Sequence, residues 1–174
     1  MNQPRFFFLS GMILVAAAAR LVPHPPNFSP IAALAVFGGA QFNDKRLAFL
    51  MPLAAMFLSD LILGLHSLMP VIYGSFALIV CLGFWVQRNQ NLRRIGGAAL
   101  VGALLFFITT NFGVWWLTSF YPKTGGGLLA CYTEAIPFFW NTLASDLIFT
   151  AVLFGGLRAA EWRWPVLHPT LATC

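Results

Sequence analysis

Charge is what this sequence has least of. Asp, Glu, Lys and Arg make up 9% of its 174 residues, against about 25% in an ordinary soluble domain. So few charges cannot cover a core with a polar surface, and a soluble globular domain is excluded. Cysteine is scarce too. Cys81, Cys131 and Cys174 are an odd, scattered set that implies no disulfide framework and has no metal-ligand spacing. Their plain reading is that of small apolar residues or free thiols. Cys131, expected at the outer surface beside Tyr132, is the one candidate ligand for a soft metal centre such as the cobalt or iron of a tetrapyrrole. Catalytic signatures are missing as well. Gly125-Gly126-Gly127 lacks the Lys-Ser/Thr ending of a nucleotide-binding loop, no HxxxH pair occurs, and no Ser/His/Asp set has a recognisable local context. The chain is therefore not expected to be an enzyme, and no cofactor is implied. No linker or low-complexity tract divides residues 1–174, which read as one domain.

What is present is apolar: 59% of the residues are hydrophobic and 18 are Phe. Apolar stretches run over 6–22, 31–42, 47–64, 68–86, 95–117 and 136–157. Five are long enough to cross a hydrocarbon core of about 30 Å as helices. Helices satisfy their own backbone in lipid, and runs such as GAALVGALLFFI do not alternate as barrel strands would. The fold class expected is all-α, a polytopic bundle of six transmembrane helices in contact with the lipid bilayer. The second stretch is short and reads either as a short span or as a re-entrant hairpin. The first, with Arg5 before it and Ala16–Ala19 at its end, also has the form of a signal peptide. The later stretches make a membrane protein either way.

The net charge of +5 does not indicate nucleic acid, because the cations sit between apolar segments. Six spans put Arg5, Lys45, Arg46, Arg88, Arg93, Arg94, Arg158 and Arg163 on one side, and Arg20 and Lys123 on the other. Lys and Arg prefer the cytoplasmic side, so both termini are expected inside, in a bacterial inner membrane. A re-entrant second segment gives the same split with the N-terminus outside. Trp162 and Trp164 alternate with charges near the C-terminus, as an interfacial anchor does.

Ionisable residues within spans are costly and mark function by default. Arg20, Asp60 and Asp146 are such residues, and either carboxylate has a plainer reading as a polar contact between helices. Ser59-Asp60-Leu61-Ile62 recurs as Ser145-Asp146-Leu147-Ile148, which suggests an inverted repeat of three spans. Residues 20–30 hold four prolines. They predict a stiff, largely extended loop that fixes His24 and Asn27, or simply a connector into the next helix. Residues 118–135 read as the longest outer loop, its three glycines a hinge for a mobile cover. The candidate substrate-binding set is Arg20, His24, Asn27, Asn111, Trp115, Tyr121, Lys123, Tyr132, Asn141 and Asp146. Trp and Tyr would stack on a planar ligand, and Arg20 and Lys123 would meet anionic groups. The plainer reading of Trp115 and Trp116 is an interfacial belt.

The runs RLVPHPPNFSPIAALAVFGGAQF, ITTNFGVWW, YPKTGGGLLACY and IPFFWNTLASDLIFTAVLFGG resemble a bacterial integral-membrane family of unknown function, over most of the chain. In layout the chain is also similar to the substrate-binding S components of energy-coupling factor vitamin transporters. That resemblance implies a small-molecule site near the outer surface, under the loops that begin at Arg20 and Thr118. It also implies a transmembrane coupling subunit with ATPases, met by a smooth face on the first span (Gly11, Ala16 to Ala19). The function expected is capture and uptake of a small cofactor-like molecule, a vitamin or a precursor. The alternative is a non-transporting accessory subunit of a larger membrane complex, packed with Phe and Leu. A membrane enzyme acting on lipid is a third class.

Overall fold

A computed structural model describes residues 1–169. Among these are six α-helices: α1 (Gln3–Ala18), α2 (Ile31–Gln41), α3 (Lys45–Leu63), α4 (Met69–Gln87), α5 (Leu92–Leu117) and α6 (Gly125–Arg163). Short 3-10 turns follow α1 (Ala19–Leu21) and α6 (Pro165–Leu167), and the described residues form no strand. Helix starts coincide with capping side chains. Asn2 accepts from Arg5 N, Asp44 from Arg46 N, Asn91 from Arg94 N and Thr124 from Gly127 N, each satisfying an amide that the helix leaves unpaired.

Helices α3, α4, α5 and α6, and α1 together with the 3-10 turn that continues it to Leu21, are long and apolar enough to cross a membrane. Large apolar side chains cover the outside, among them Val15, Ile62, Leu58, Trp140 and Val152. This surface suits lipid as its solvent. The start of α1 and the end of α6 meet at one end of the bundle, where Asn2 Nδ2 donates to Val166 O at 2.7 Å and Arg5 pairs with Glu161. This is the terminal end. Lys45, Arg88, Arg93, Arg94, Arg158 and Arg163 lie at helix ends on that side, and Arg20 and Lys123 lie at the far end, as the charge pattern predicts.

Helix α2 is the hub. Ten of its 11 residues are buried, including Leu34, Val36 and Phe37. At 1.5 Å per residue it spans about 16 Å, roughly half a hydrocarbon core. It is one continuous helix, not a hairpin. It starts beneath the proline-rich loop and ends at the terminal end, where Arg5 donates to Gln41 Oε1 at 3.0 Å and Gln87 to Phe42 O at 2.9 Å. Glycine allows the closest approach: a Cβ on Gly83 of α4 would lie 2.5 Å from Val36 O and 2.6 Å from Gly39 Cα. Small residues commonly bring membrane helices together in this way. Phe37 meets Phe154 edge-on at 5.3 Å, and Phe76 stacks on Phe106 at 5.7 Å.

One expectation needs correction. Residues 125–135 are not a loop, and the glycines are not a hinge: they form the first turn of α6, a 39-residue helix. Gly127 is required there by a close approach, since a Cβ would lie 2.0 Å from Pro122 O. The proline-rich loop, expected to be largely extended, contains one turn. Phe28 N bonds to Pro25 O at 3.0 Å, closing a turn in which Asn27 has φ +61°, a left-handed conformation that Asn tolerates better than most residues. Of the small residues expected to form a smooth face on the first span, Ala16 and Ala17 are buried, Ala18 is exposed, and Gly11 and Ala19 are half-buried, with Phe7, Leu14 and Val15 exposed beside them. Cys174 lies outside the described residues.

Candidate functional site

A stripe of short polar side chains on α6 builds the site. Asn141, Thr142, Ser145 and Asp146 fall on one side of the helix, and each grips the loop or the start of α2. Asn141 Nδ2 donates to Pro26 O at 2.9 Å, and Thr142 Oγ1 to Asn27 O at 3.4 Å. Ser145 is engaged twice: Ser29 N donates to its Oγ at 3.0 Å, and the same hydroxyl donates to Ser29 O at 2.6 Å. Asp146 Oδ1 accepts from Ala33 N at 3.3 Å, in the first turn of α2. A carboxylate is favoured at a helix N-terminus by the free amides and the dipole. Among the described residues, the second oxygen, Oδ2, is buried and has no hydrogen-bond partner, and neither has Ser29 Oγ.

Across from this stripe, the end of α1 meets the end of α3. Arg20 pairs with Asp60 at 2.8 Å and donates to Ser59 Oγ. Tyr73 of α4 donates to the other Asp60 oxygen, Oδ2, at 2.7 Å. Asp60 is 3% exposed, so its charge is held by one guanidinium and one hydroxyl, and the group closes on itself.

Between the two sides lies a cavity of about 320 Å³, toward the far end of the bundle. Arg20, Asn27, Ser29, Asp60, His66 and Asp146 give it polar walls. Ile31, Leu63, Ile72 and Phe106 give it apolar ones. A second cavity of about 530 Å³ lies at the terminal end, lined by Arg5, Gln41, Gln90, Thr150, Arg158 and Glu161. There the Arg5 guanidinium reaches Glu161, Leu167 O and Gln41, and Gln41 donates to Gln90 at 2.8 Å.

Of the ten residues singled out from the sequence, Arg20, His24, Asn27 and Asp146 line the far-end cavity. Asn141 supports its wall from behind. His24 is exposed, with Nδ1 2.6 Å from Val22 O. The other five gather elsewhere, where α5 turns into α6. Trp115 Nε1 donates to Pro122 O at 2.9 Å, and Lys123 donates to the carbonyls of Trp115 and Thr118. Tyr132 donates to Ile108 O at 2.6 Å, and the Asn111 amide to Phe107 O in its own helix at 2.8 Å. Tyr121 donates to Glu134 at 2.7 Å, a bond that raises its hydroxyl above the ordinary tyrosine range. Lys123 is committed to these carbonyls rather than to an anion in the cavity. Cys131 is buried, not at the surface, with its thiol 3.4 Å from Asn111 O. It takes no part in the cavity.

Sequence reasoning assigned neither Asp60, Ser29, Thr142 nor His66 to the site. Its charge within a span and the recurrent Ser-Asp-Leu-Ile were the available signals for Asp60. In both copies Ser and Asp are buried and Leu and Ile exposed, and both aspartates line the same cavity. Among the described residues no group of three or more His, Cys, Asp or Glu could hold a metal ion.

No curated protein and no solved structure matches the chain. One family model matches residues 1–167, taking in the proline-rich loop, the buried α2 and the polar stripe of α6 alike. The chain thus belongs to DUF6580, a family of unknown function.

Proposed function

We propose that the protein captures a small molecule from outside the cytoplasmic membrane and takes part in its uptake. One observation carries this reading. A polar cavity opens at the buried N-terminus of α2, and in its wall Asp146 keeps an oxygen that no group among the described residues satisfies. Ionisable groups within membrane helices face partners, substrates or ion pathways, and ligand pockets pair apolar walls with a few placed polar groups. A Phe- and Leu-filled bundle would have favoured the accessory-subunit reading, and the polar walls speak for capture. The cytoplasmic preference of Lys and Arg sets the terminal end inside, so that the cavity faces outward.

The volume lies at the lower end of ligand pockets, about 300–1,000 Å³. It suits a vitamin-precursor-sized molecule of a single ring and is too small for a tetrapyrrole. Phe106 supplies the aromatic surface in place of Trp115, Tyr121 and Tyr132. The chain has no nucleotide-binding motif, so transport is either facilitated or driven by a separate coupling subunit with ATPases. Native mass spectrometry of protein purified from fresh membranes in mild detergent tests the proposal. A bound small molecule is expected. Bare protein that no member of a metabolite panel stabilises against heat would overturn it.

A further inference from the structure

The balance of charge and hydrogen bonding in the far-end cavity extends the capture reading, on which this inference rests, to a class of ligand. Three formal charges line the cavity: Arg20, Asp60 and Asp146. Arg20 and Asp60 neutralise one another at 2.8 Å, and both Asp60 oxygens are occupied, one by Arg20 and one by Tyr73. Asp146 is 1% exposed, and among the described residues no cation meets it. Its Oδ1 has the Ala33 amide at 3.3 Å, while Oδ2 has nothing. Ser29 lines the same cavity, and its buried Oγ is also without a partner among the described residues. Two histidines line the cavity but neither bonds to the carboxylate: His24 is turned to Val22 O, and His66 is exposed.

A carboxyl group this buried is charged most readily when a cation lies beside it, and in that form it only accepts hydrogen bonds. The wall therefore lacks a donor, and a positively charged one most of all. An anionic ligand would set a second negative charge beside Asp146, with Arg20 already spent on Asp60. We infer that the cavity takes a small organic cation whose protonated nitrogen donates to Asp146 Oδ2 and Ser29 Oγ. Its apolar part rests against Ile72 and Phe106. This replaces the anionic groups that the sequence suggests for Arg20 and Lys123.

Three probes of one shape and different charge test the inference on the full chain in a non-ionic detergent: benzylamine, benzyl alcohol and benzoate. Binding is followed by thermal shift and calorimetry. Benzylamine is expected to raise the melting temperature in a saturable way, while equal concentrations of the alcohol, benzoate or sodium chloride leave it unchanged. Asp146→Asn keeps the shape and removes the charge, and it should weaken benzylamine at least tenfold. Ser29→Ala removes only an unpartnered hydroxyl. It should weaken benzylamine about threefold, and it keeps the test open if Asp146→Asn does not fold. Equal binding of alcohol or benzoate, an equal effect of sodium, no binding of benzylamine, or unchanged affinity in Ser29→Ala and Asp146→Asn would each overturn the inference. A co-purified ligand that proves neutral or anionic would remove this inference and leave the capture reading standing. Bare protein that no metabolite stabilises would remove both.

Discussion

At the scale of single residues, the two aspartates that share a tetrapeptide have different circumstances. Asp60 is buried but paired, so its worth lies in its partner. Removing one member of a buried ion pair leaves an uncompensated charge and costs about 3–5 kcal/mol, whereas removing both is often far milder. Arg20→Ala is therefore expected to lower the unfolding free energy by roughly that amount, and Arg20→Ala with Asp60→Ala together by less. Reversible unfolding in mixed micelles would measure this, and a double variant at least as unstable as the single one would refute the pairing. The loop anchors form a graded series. Asn141→Ala removes one neutral hydrogen bond near water, about 0.5–1.5 kcal/mol. Ser145→Ala removes both bonds to Ser29 and strands its amide and carbonyl, for about 1–3 kcal/mol more than a surface change. The order Ser145 worse than Asn141 is the checkable part.

At the scale of helices, close approach between backbones sets the tolerance for change. A Cβ on Gly83 would press on α2 backbone at 2.5 Å, whereas one on Gly11 meets nothing within 4 Å. Gly83→Ala is expected to destabilise by about 1–3 kcal/mol through overpacking. Gly11→Ala should be neutral or gain up to about 1 kcal/mol of helix propensity. Thermal unfolding of the two variants side by side would decide, and equal effects would contradict the α2–α4 contact. The contrast also shows what the sequence can disclose. Hydropathy alone places α1, α3, α4 and α5 within a few residues of their observed ends, because a long apolar run in lipid has few alternatives to a helix. Hydropathy does not reveal that α2 is sheathed by protein on every side, since a lipid-facing and a buried apolar residue read alike. It missed the first turns of α6 because three glycines read as a breaker, although Thr124 was a visible cap. The site divides similarly. Arg20 and Asp146 stand out as ionisable residues among apolar ones, and both reach the cavity. Asn111 and Tyr132 stand out equally, but the faces on which they lie turn toward the α5–α6 contact, and composition carries no such direction.

At the scale of the whole molecule, the functional reading depends on which way the bundle sits in the membrane. The structure gathers Lys45 and Arg88 at the terminal end, with Arg20 and Lys123 at the other, and a cavity lies toward each end. Although α2 spans only about 16 Å, the chain changes ends at every helix, because the loop before α2 dips into the bundle to meet Asn141 and Ser145. Cationic loops are retained on the cytoplasmic side during insertion, so Lys45 and Arg88 should face the cytoplasm and Lys123 the exterior. Single cysteines at these positions, with Cys81, Cys131 and Cys174 replaced by Ser, can be offered an impermeant maleimide on spheroplasts. Lys123→Cys is expected to label in intact spheroplasts, and Lys45→Cys and Arg88→Cys only after permeabilisation. The reverse pattern would turn the Asp146 cavity toward the cytoplasm. A protein so placed could not capture a molecule from outside, and the uptake proposal would fall even if a ligand were found in the cavity. Labelling of Lys45→Cys and Lys123→Cys from the same side would instead show that the chain crosses in another register, against the antiparallel run of α3 and α6.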